Sequence, residues 1–310
     1  MILLNYQGFT YSESFDEHGK FISIDGCKRK WGIIIIPHSI NGLPVRKIGN
    51  AAFMESEIQK VVIPEGVEYI DQQAFRFCLS LKDAVLPSTL IEINNEAFEG
   101  SGITDVSFGS NLKTIGKYAF NSCEYLNSIV LPNNLTSVGY GAFDGCDSLK
   151  SLHIGENVVS FDSDENVLSY CTSLKHLTVS AKNPKFFSVN NMLITRDGCL
   201  LRCSPAVQQS SLTVPKQVKK IAEGAFSYLR GGCIIKISNS ELLLDDSYLE
   251  TIPNLTIKCD PHSKAAEWAR KKDIAILPLQ SELENFLSSN NLGTSPNLTT
   301  SISKNDEMEL

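Results

Sequence analysis

The sequence predicts a mainly β repeat solenoid built from coils of about 22–23 residues, and three observations carry that expectation. Ala-Phe pairs recur at Ala52-Phe53, Ala74-Phe75, Ala97-Phe98, Ala119-Phe120 and Ala142-Phe143, with the Phe residues 22, 23, 22 and 23 apart. Between the pairs the apolar positions keep a fixed order, as in Leu126-x-x-Ile129-x-Leu131-Pro132-x-x-Leu135-x-x-Val138-x-x-x-Ala142-Phe143-x-x-Cys146. Cys78, Cys123, Cys146 and Cys171 occupy one fixed place in this order, which reads as a small buried position stacked from unit to unit. A unit with three apolar edges cannot bury them alone, whereas stacked units bury them as one core.

The elements follow in chain order. Residues 1–32 are expected to form an N-terminal cap, and 33–180 the main run of coils. In each coil x-Ile-x-Leu alternates with period two, the mark of one short strand, and proline ends it because it has no ladder donor. The following Leu-x-x-Val and Ala-Phe make a second and a third apolar edge, with Asn94, Asn95, Gly139 and Gly141 at the corners. A degenerate sixth unit has Val167-Leu168 in place of Ala-Phe, and a seventh carries Val214-Pro215, Val218, Ile221 and Ala225-Phe226. About seven units thus lie between Ile33 and Leu229, interrupted once.

The interruption, 181–212, reads as a β-hairpin insertion: "NMLIT" and "CLLRC" flank Arg196-Asp197-Gly198, a tight-turn signal. Such an arm either projects from the stack or replaces a coil, as a spacer or as a binding arm. Residues 213–278 then hold the final coils and a C-terminal cap with a helix over 261–272, started by Asp260-Pro261. Ala265, Trp268 and Ala269 give that helix an apolar face while Lys264, Glu267, Arg270, Lys271 and Lys272 face water, so it can cover the end of the core. The Ser/Asn/Thr-rich 279–310 reads as a disordered tail.

Composition narrows the function. Against 28 Lys+Arg stand 35 Asp+Glu, a net charge of -7, which disfavours nucleic acid as the partner. The first residues lack the basic and apolar regions of a signal peptide, and the Ile run at 32–38 is too short to cross a bilayer. Taken alone, these features predict a soluble chain, cytoplasmic by default. Cys199 and Cys203 are not spaced as CxxC and have no nearby His, and the histidines (His18, His38, His153, His176, His262) sit beside no nucleophile motif. The glycines of "GYGAFDG" at 139–145 fall at repeat corners, and "NLT" at 134, 254 and 297 matches a glycosylation pattern that needs a secretory route. The expectation is a non-catalytic monomer with no catalytic residues, cofactor or metal.

What remains is surface. Outward residues of successive strands are Lys60 and Val62, Asp83 and Val85, Asp105 and Ser107, Ser128 and Val130, Ser151 and His153, and His176 and Thr178. They are expected to form a rectangular grid that binds a protein partner, although β-branched residues also favour strands for their own sake. His153 and His176 are placed one coil apart on almost the same file, as a metal or pH-sensing pair or simply as two exposed histidines.

The repeat pattern resembles the BspA-like (Treponema pallidum type) leucine-rich repeat. "IIIIPHSINGLPVRKIGNAAF" at 33–53 resembles that family's opening coil, "NPKFFSVNNMLITRDGCLLRCSP" at 183–205 its recurring hairpin insertion, and "CDPHSKAAEWARKKDIAIL" at 259–277 its closing helix and strand. The likeness spans roughly residues 20–278. It implies a leucine-rich repeat stack for protein–protein recognition, with adhesion and surface or secreted exposure as the family's usual role. The alternative is an intracellular structural or regulatory partner-binding protein.

Overall fold

The structure, a computed structural model, describes residues 4–161, 168–205, 211–227, 229, 231–244 and 247–279. Apart from Leu279, the expected tail lies outside the described residues, as does Val167 of the sixth unit.

The coils stack into a solenoid with two parallel ladders. In the first, Trp31–Ile35, Glu57–Val62 and Asp83–Val85 pair side by side; after a gap, Ser128–Val130, Ser151–Ile154 and His176–Val179 do the same. The sequence suggests one strand per coil, but a second forms at the Leu-x-x-Val edge. There Tyr69–Ile70, Glu92–Ile93, Thr114–Ile115, Ser137–Val138 and Ser160–Phe161 pair in parallel. Each has two residues, too few for a period-two pattern to show, so only the coils on either side reveal it as a strand.

The N-terminal residues begin this second ladder. Leu4–Tyr6, Phe9–Asp16 and Gly19–Cys27 form an antiparallel meander whose last strand pairs in parallel with Leu43–Ile48. Trp31–Ile35 already belongs to the first ladder, pairing in parallel with Glu57–Val62.

Side-chain ladders fill the interior. Phe53, Phe75, Phe98, Phe120 and Phe143 are buried and stack with successive ring centroids 5.2, 5.0, 5.1 and 5.6 Å apart. The Ala-Phe corner is itself a hydrogen-bonded ladder: Phe75 N donates to Ala97 O at 2.7 Å, and Phe98 N to Ala119 O at 2.8 Å. Small Ser and Cys side chains form a further file, Ser56, Cys78, Ser101, Cys123, Cys146 and Cys171, all buried. Cys78, Cys123, Cys146 and Cys171 donate to the carbonyl oxygens of Phe53, Phe98, Phe120 and Phe143, respectively, at 3.0–3.3 Å. Two coils put Ser where the others put Cys: Ser56 Oγ lies 3.3 Å from Cys78 Sγ and Ser101 Oγ 3.4 Å from Cys123 Sγ, so the position takes a small hydrogen-bonding side chain.

The insertion is an interior partition. Phe186–Val189, Met192–Thr195 and Cys199–Cys203 form an antiparallel sheet whose last strand pairs in parallel with Lys220–Ile221. Met192–Thr195 is buried at every position. Leu193 packs into the main core, while Met192 and Ile194 pack into a second core that runs on through Phe226 and Ile257 to Ala269. The turn residues Arg196 and Asp197 are exposed, as is Asn190 between the first two strands.

The capping helix runs over Lys264–Lys271 rather than 261–272. Ser263 has extended backbone (φ -75°, ψ 160°) and its hydroxyl accepts from Ala266 N at 3.2 Å, so the helix starts after it while Asp260-Pro261 forms the preceding turn. Ala265, Ala266 and Ala269 are buried as its inner face.

A buried guanidinium ties the partition to the coils on both sides. Arg202 donates to Gly224 O at 2.9 Å, to Ser227 Oγ at 2.7 Å and to Ser169 Oγ at 3.4 Å. Nearby, Asp144 accepts from Ser169 N at 2.9 Å. Burial raises its carboxyl pKa from 3.8 to about 6, against the opposing pull of that hydrogen bond and of Arg202. A carboxyl raised by folding favours the folded state fully below its unfolded value, near 4, and that contribution is lost as pH rises through about 6. The Asp144→Asn variant should therefore gain melting temperature relative to the wild type between pH 4 and pH 7. A difference that stays constant over this range would show that Asp144 does not titrate in this window.

Candidate interaction face

The outward residues of the first ladder are placed by strand register. Lys60 is opposite Asp83 and Val62 opposite Val85; further along, Ser128, Ser151 and His176 align, as do Val130, His153 and Thr178. Their side chains range from half-buried to exposed. Lys60 Nζ lies 2.5 Å from Asp83 Oδ2, an exposed pair that adds little stability, and Ser128 Oγ lies 2.7 Å from Ser151 Oγ.

Two sequence expectations need correction here. The face is not one regular sheet: Asp105 makes only an isolated bridge to Asp83, and Ser107 lies in no strand. That coil carries Phe108 where the next has Leu131. Its ring packs edge-on to Phe120 at 5.7 Å, and Val106 is only partly buried, so the strand does not form. Nor do the histidines share a file. His153 is opposite Thr178, with Nδ1 at 3.0 Å from Thr178 Oγ1, while His176 is opposite Ser151. Among the described residues no cluster of three or more His, Cys, Asp or Glu could hold a metal ion.

The structure also adds residues that the spacing argument passed over. Trp31, Ile33 and Ile35 of the edge strand are 61%, 54% and 67% exposed. Ile35 continues the file of Val62 and Val85, and Ile33 that of Lys60 and Asp83. The Arg29 guanidinium sits 4.5 Å over the Trp31 ring. The signal was present in "GIIIIPH": with period two, Ile34 and Ile36 go in and Ile33 and Ile35 out, and both inner residues are buried.

The buried thiols contribute differently. Burial pushes Cys123 and Cys171 up to about 12 and Cys146 well above its usual range, so they stay protonated and serve as donors inside the stack. No described helix is long and apolar enough to cross a membrane.

Comparison with known proteins gives a consistent picture. The family model described as "BspA type Leucine rich repeat region" matches six copies over residues 46–175. The pneumococcal vaccine antigen PcpA superposes with a TM-score of 0.65 at 18% identity, over 84% of this chain and 82% of that one. The T. pallidum leucine-rich repeat protein gives 0.51 at 23% identity, over 76% and 88%. A leucine-rich cell surface protein of Faecalibacterium prausnitzii gives 0.54 at 19%, over 92% and 97%. At these identities the likeness is one of fold. No curated protein sequence matches the chain.

Proposed function

We propose, taking residues 46–175 to be a BspA-type leucine-rich repeat region, that the protein is a non-catalytic scaffold whose first-ladder face recognises another protein. The observation that carries this reading is the file Ile35, Val62 and Val85, apolar and in register, beside a file in which Ile33 is followed by the charged Lys60 and Asp83. Apolar side chains rimmed by polar ones on a rigid sheet are what a protein partner desolvates on docking. Val130, 60% exposed, extends this chemistry to the second half of the face. The solenoid acts as a ruler: backbone ladders fix each contact residue, so binding requires little ordering.

Surface exposure, with adhesion as its purpose, is the finer reading. Its support is the family likeness and two neighbours of the same fold, one described as a vaccine antigen and the other as a cell surface protein. The described cysteines are all free thiols, which favours an intracellular partner protein as the second reading. Protease shaving of intact source cells separates the two. Peptides from residues 60–180 released before a cytoplasmic marker place the face outside the cell; retention until lysis supports the intracellular role.

Val85→Arg and Val130→Arg test the face itself. Both side chains are exposed, so stability should change by no more than about 0.5 kcal/mol while partner binding is lost. A variant that unfolds would mean that the other face of the strand points outward.

A further inference from the structure

The coils carry a second regular surface, flanking the second ladder. Leu90, Leu112, Leu135 and Val158 are buried at one repeat position, and the residues before and after each of them are exposed, apart from the half-buried Thr89 and Ile91. The file before them reads Thr89, Asn111, Asn134 and Asn157; the file after reads Ile91, Lys113 and Thr136. Together with Glu68 they line a trough of about 670 Å³, the size of a small-molecule site.

This trough is rigid. Lys113 N donates to Ile91 O and Thr136 N to Lys113 O, both at 2.9 Å, so the ladder sets the spacing of the second file. Asn134 Nδ2 donates to Ser110 O at 2.8 Å, which fixes that carboxamide with its oxygen left over. The Asn111 and Asn157 carboxamides hold no coil together among the described residues. Successive carboxamides therefore recur at about the 4.8 Å of neighbouring strands.

The lining selects a chemistry. The carboxamides both donate and accept, as sugar hydroxyls do, while the hydroxyls of Thr89 and Thr136 already donate to Val67 O at 2.8 Å and Lys113 O at 3.1 Å. Charge in the trough is balanced: Lys113 stands against Glu68, which Arg46 already holds with bonds of 3.1 and 2.6 Å. That argues against a polyanion. Ile91 gives one apolar platform among polar groups, suited to the C–H face of a pyranose.

The geometry points to a binding site for a linear, neutral oligosaccharide, laid along the stack with about one ring per coil. An extended peptide fits the repeat less well. Its backbone groups facing one way recur every two residues, about 6.8 Å, and so fall out of step with the carboxamides after one coil. A β-linked pyranose advances by close to one coil spacing. This site lies away from the first-ladder face and is independent of the protein-recognition reading.

Titration of the full chain with cellohexaose, mannohexaose, laminarihexaose and maltohexaose tests the assignment, with an uncharged Ser/Gly octapeptide as the competing class. Calorimetry should show at least one hexaose binding with Kd below about 1 mM. The double variant Asn111→Ala, Asn157→Ala should weaken that binding by about tenfold or more, the loss of two neutral hydrogen bonds, with an unchanged melting curve. Three results would each overturn the site: no hexaose binding, equal binding to the double variant, or binding of the peptide in place of the sugars.

Discussion

Phe98→Ala is expected to lower stability by about 3–5 kcal/mol, through lost burial and the cavity left behind. The ring is fully buried between Phe75 at 5.0 Å and Phe120 at 5.1 Å, so truncation removes two stacking contacts and opens a gap shared by three coils. A solenoid behaves as a one-dimensional array in which each coil depends on its neighbours. Damage should therefore spread locally: hydrogen exchange should accelerate at Phe75, Phe98 and Phe120, whose amides ladder the corner, before it does in the second core around Ile257. Chemical denaturation gives the size of the loss and exchange gives its location. An unaltered denaturation curve would remove the Phe ladder as a source of stability, and a uniform rise in exchange would mean that the two cores unfold as one unit.

Arg202→Ala should cost a comparable amount, about 3–5 kcal/mol, for a different reason. The guanidinium is 1% exposed and joins Gly224 and Ser227 on one side of the partition to Ser169 on the other. Removing it leaves the buried Gly224 carbonyl and the half-buried Ser227 and Ser169 hydroxyls without that donor and empties the volume of a long side chain. It also takes a cation from the neighbourhood of Asp144, whose carboxyl Arg202 helps to keep ionised. The stability deficit of the variant should therefore be larger at pH 7 than at pH 4, where Asp144 is protonated in both proteins. A deficit that does not change with pH would mean that Arg202 acts through packing and hydrogen bonds alone. A loss below about 1 kcal/mol would mean that the partition does not need this brace.

Particular residues show what could be read in the sequence and why. The Phe and Cys files were legible because a solenoid repeats its inward positions at the coil length, so spacing alone reports stacking; Phe53 to Phe143 lie where the period puts them. The first-ladder face was legible for the same reason, since outward positions alternate with inward ones, and Lys60 does meet Asp83 and Val130 does meet His153. The second ladder was not, because two-residue strands such as Glu92–Ile93 carry no periodicity of their own. The gap at Asp105 and Ser107 was also hidden: Phe108 occupies an ordinary apolar position, and only its packing on Phe120 disturbs the coil.

The insertion marks the boundary most sharply. Its turn, Arg196-Asp197-Gly198, and its flanking apolar runs were plain in the sequence, because turn chemistry is local. Its burial between two cores was not, since a continuous apolar run does not say what lies on either side of it. Arg202, read alone, is a surface residue type; only the convergence of Gly224, Ser227 and Ser169 on its donors makes it an interior brace. By itself the sequence determined the coil, its length and its inward residues, because those follow from period and apolarity along one chain. Only the tertiary structure decided which coils pair into which ladder, where the face breaks and what the insertion divides, because those depend on contacts between residues about 23 or more positions apart.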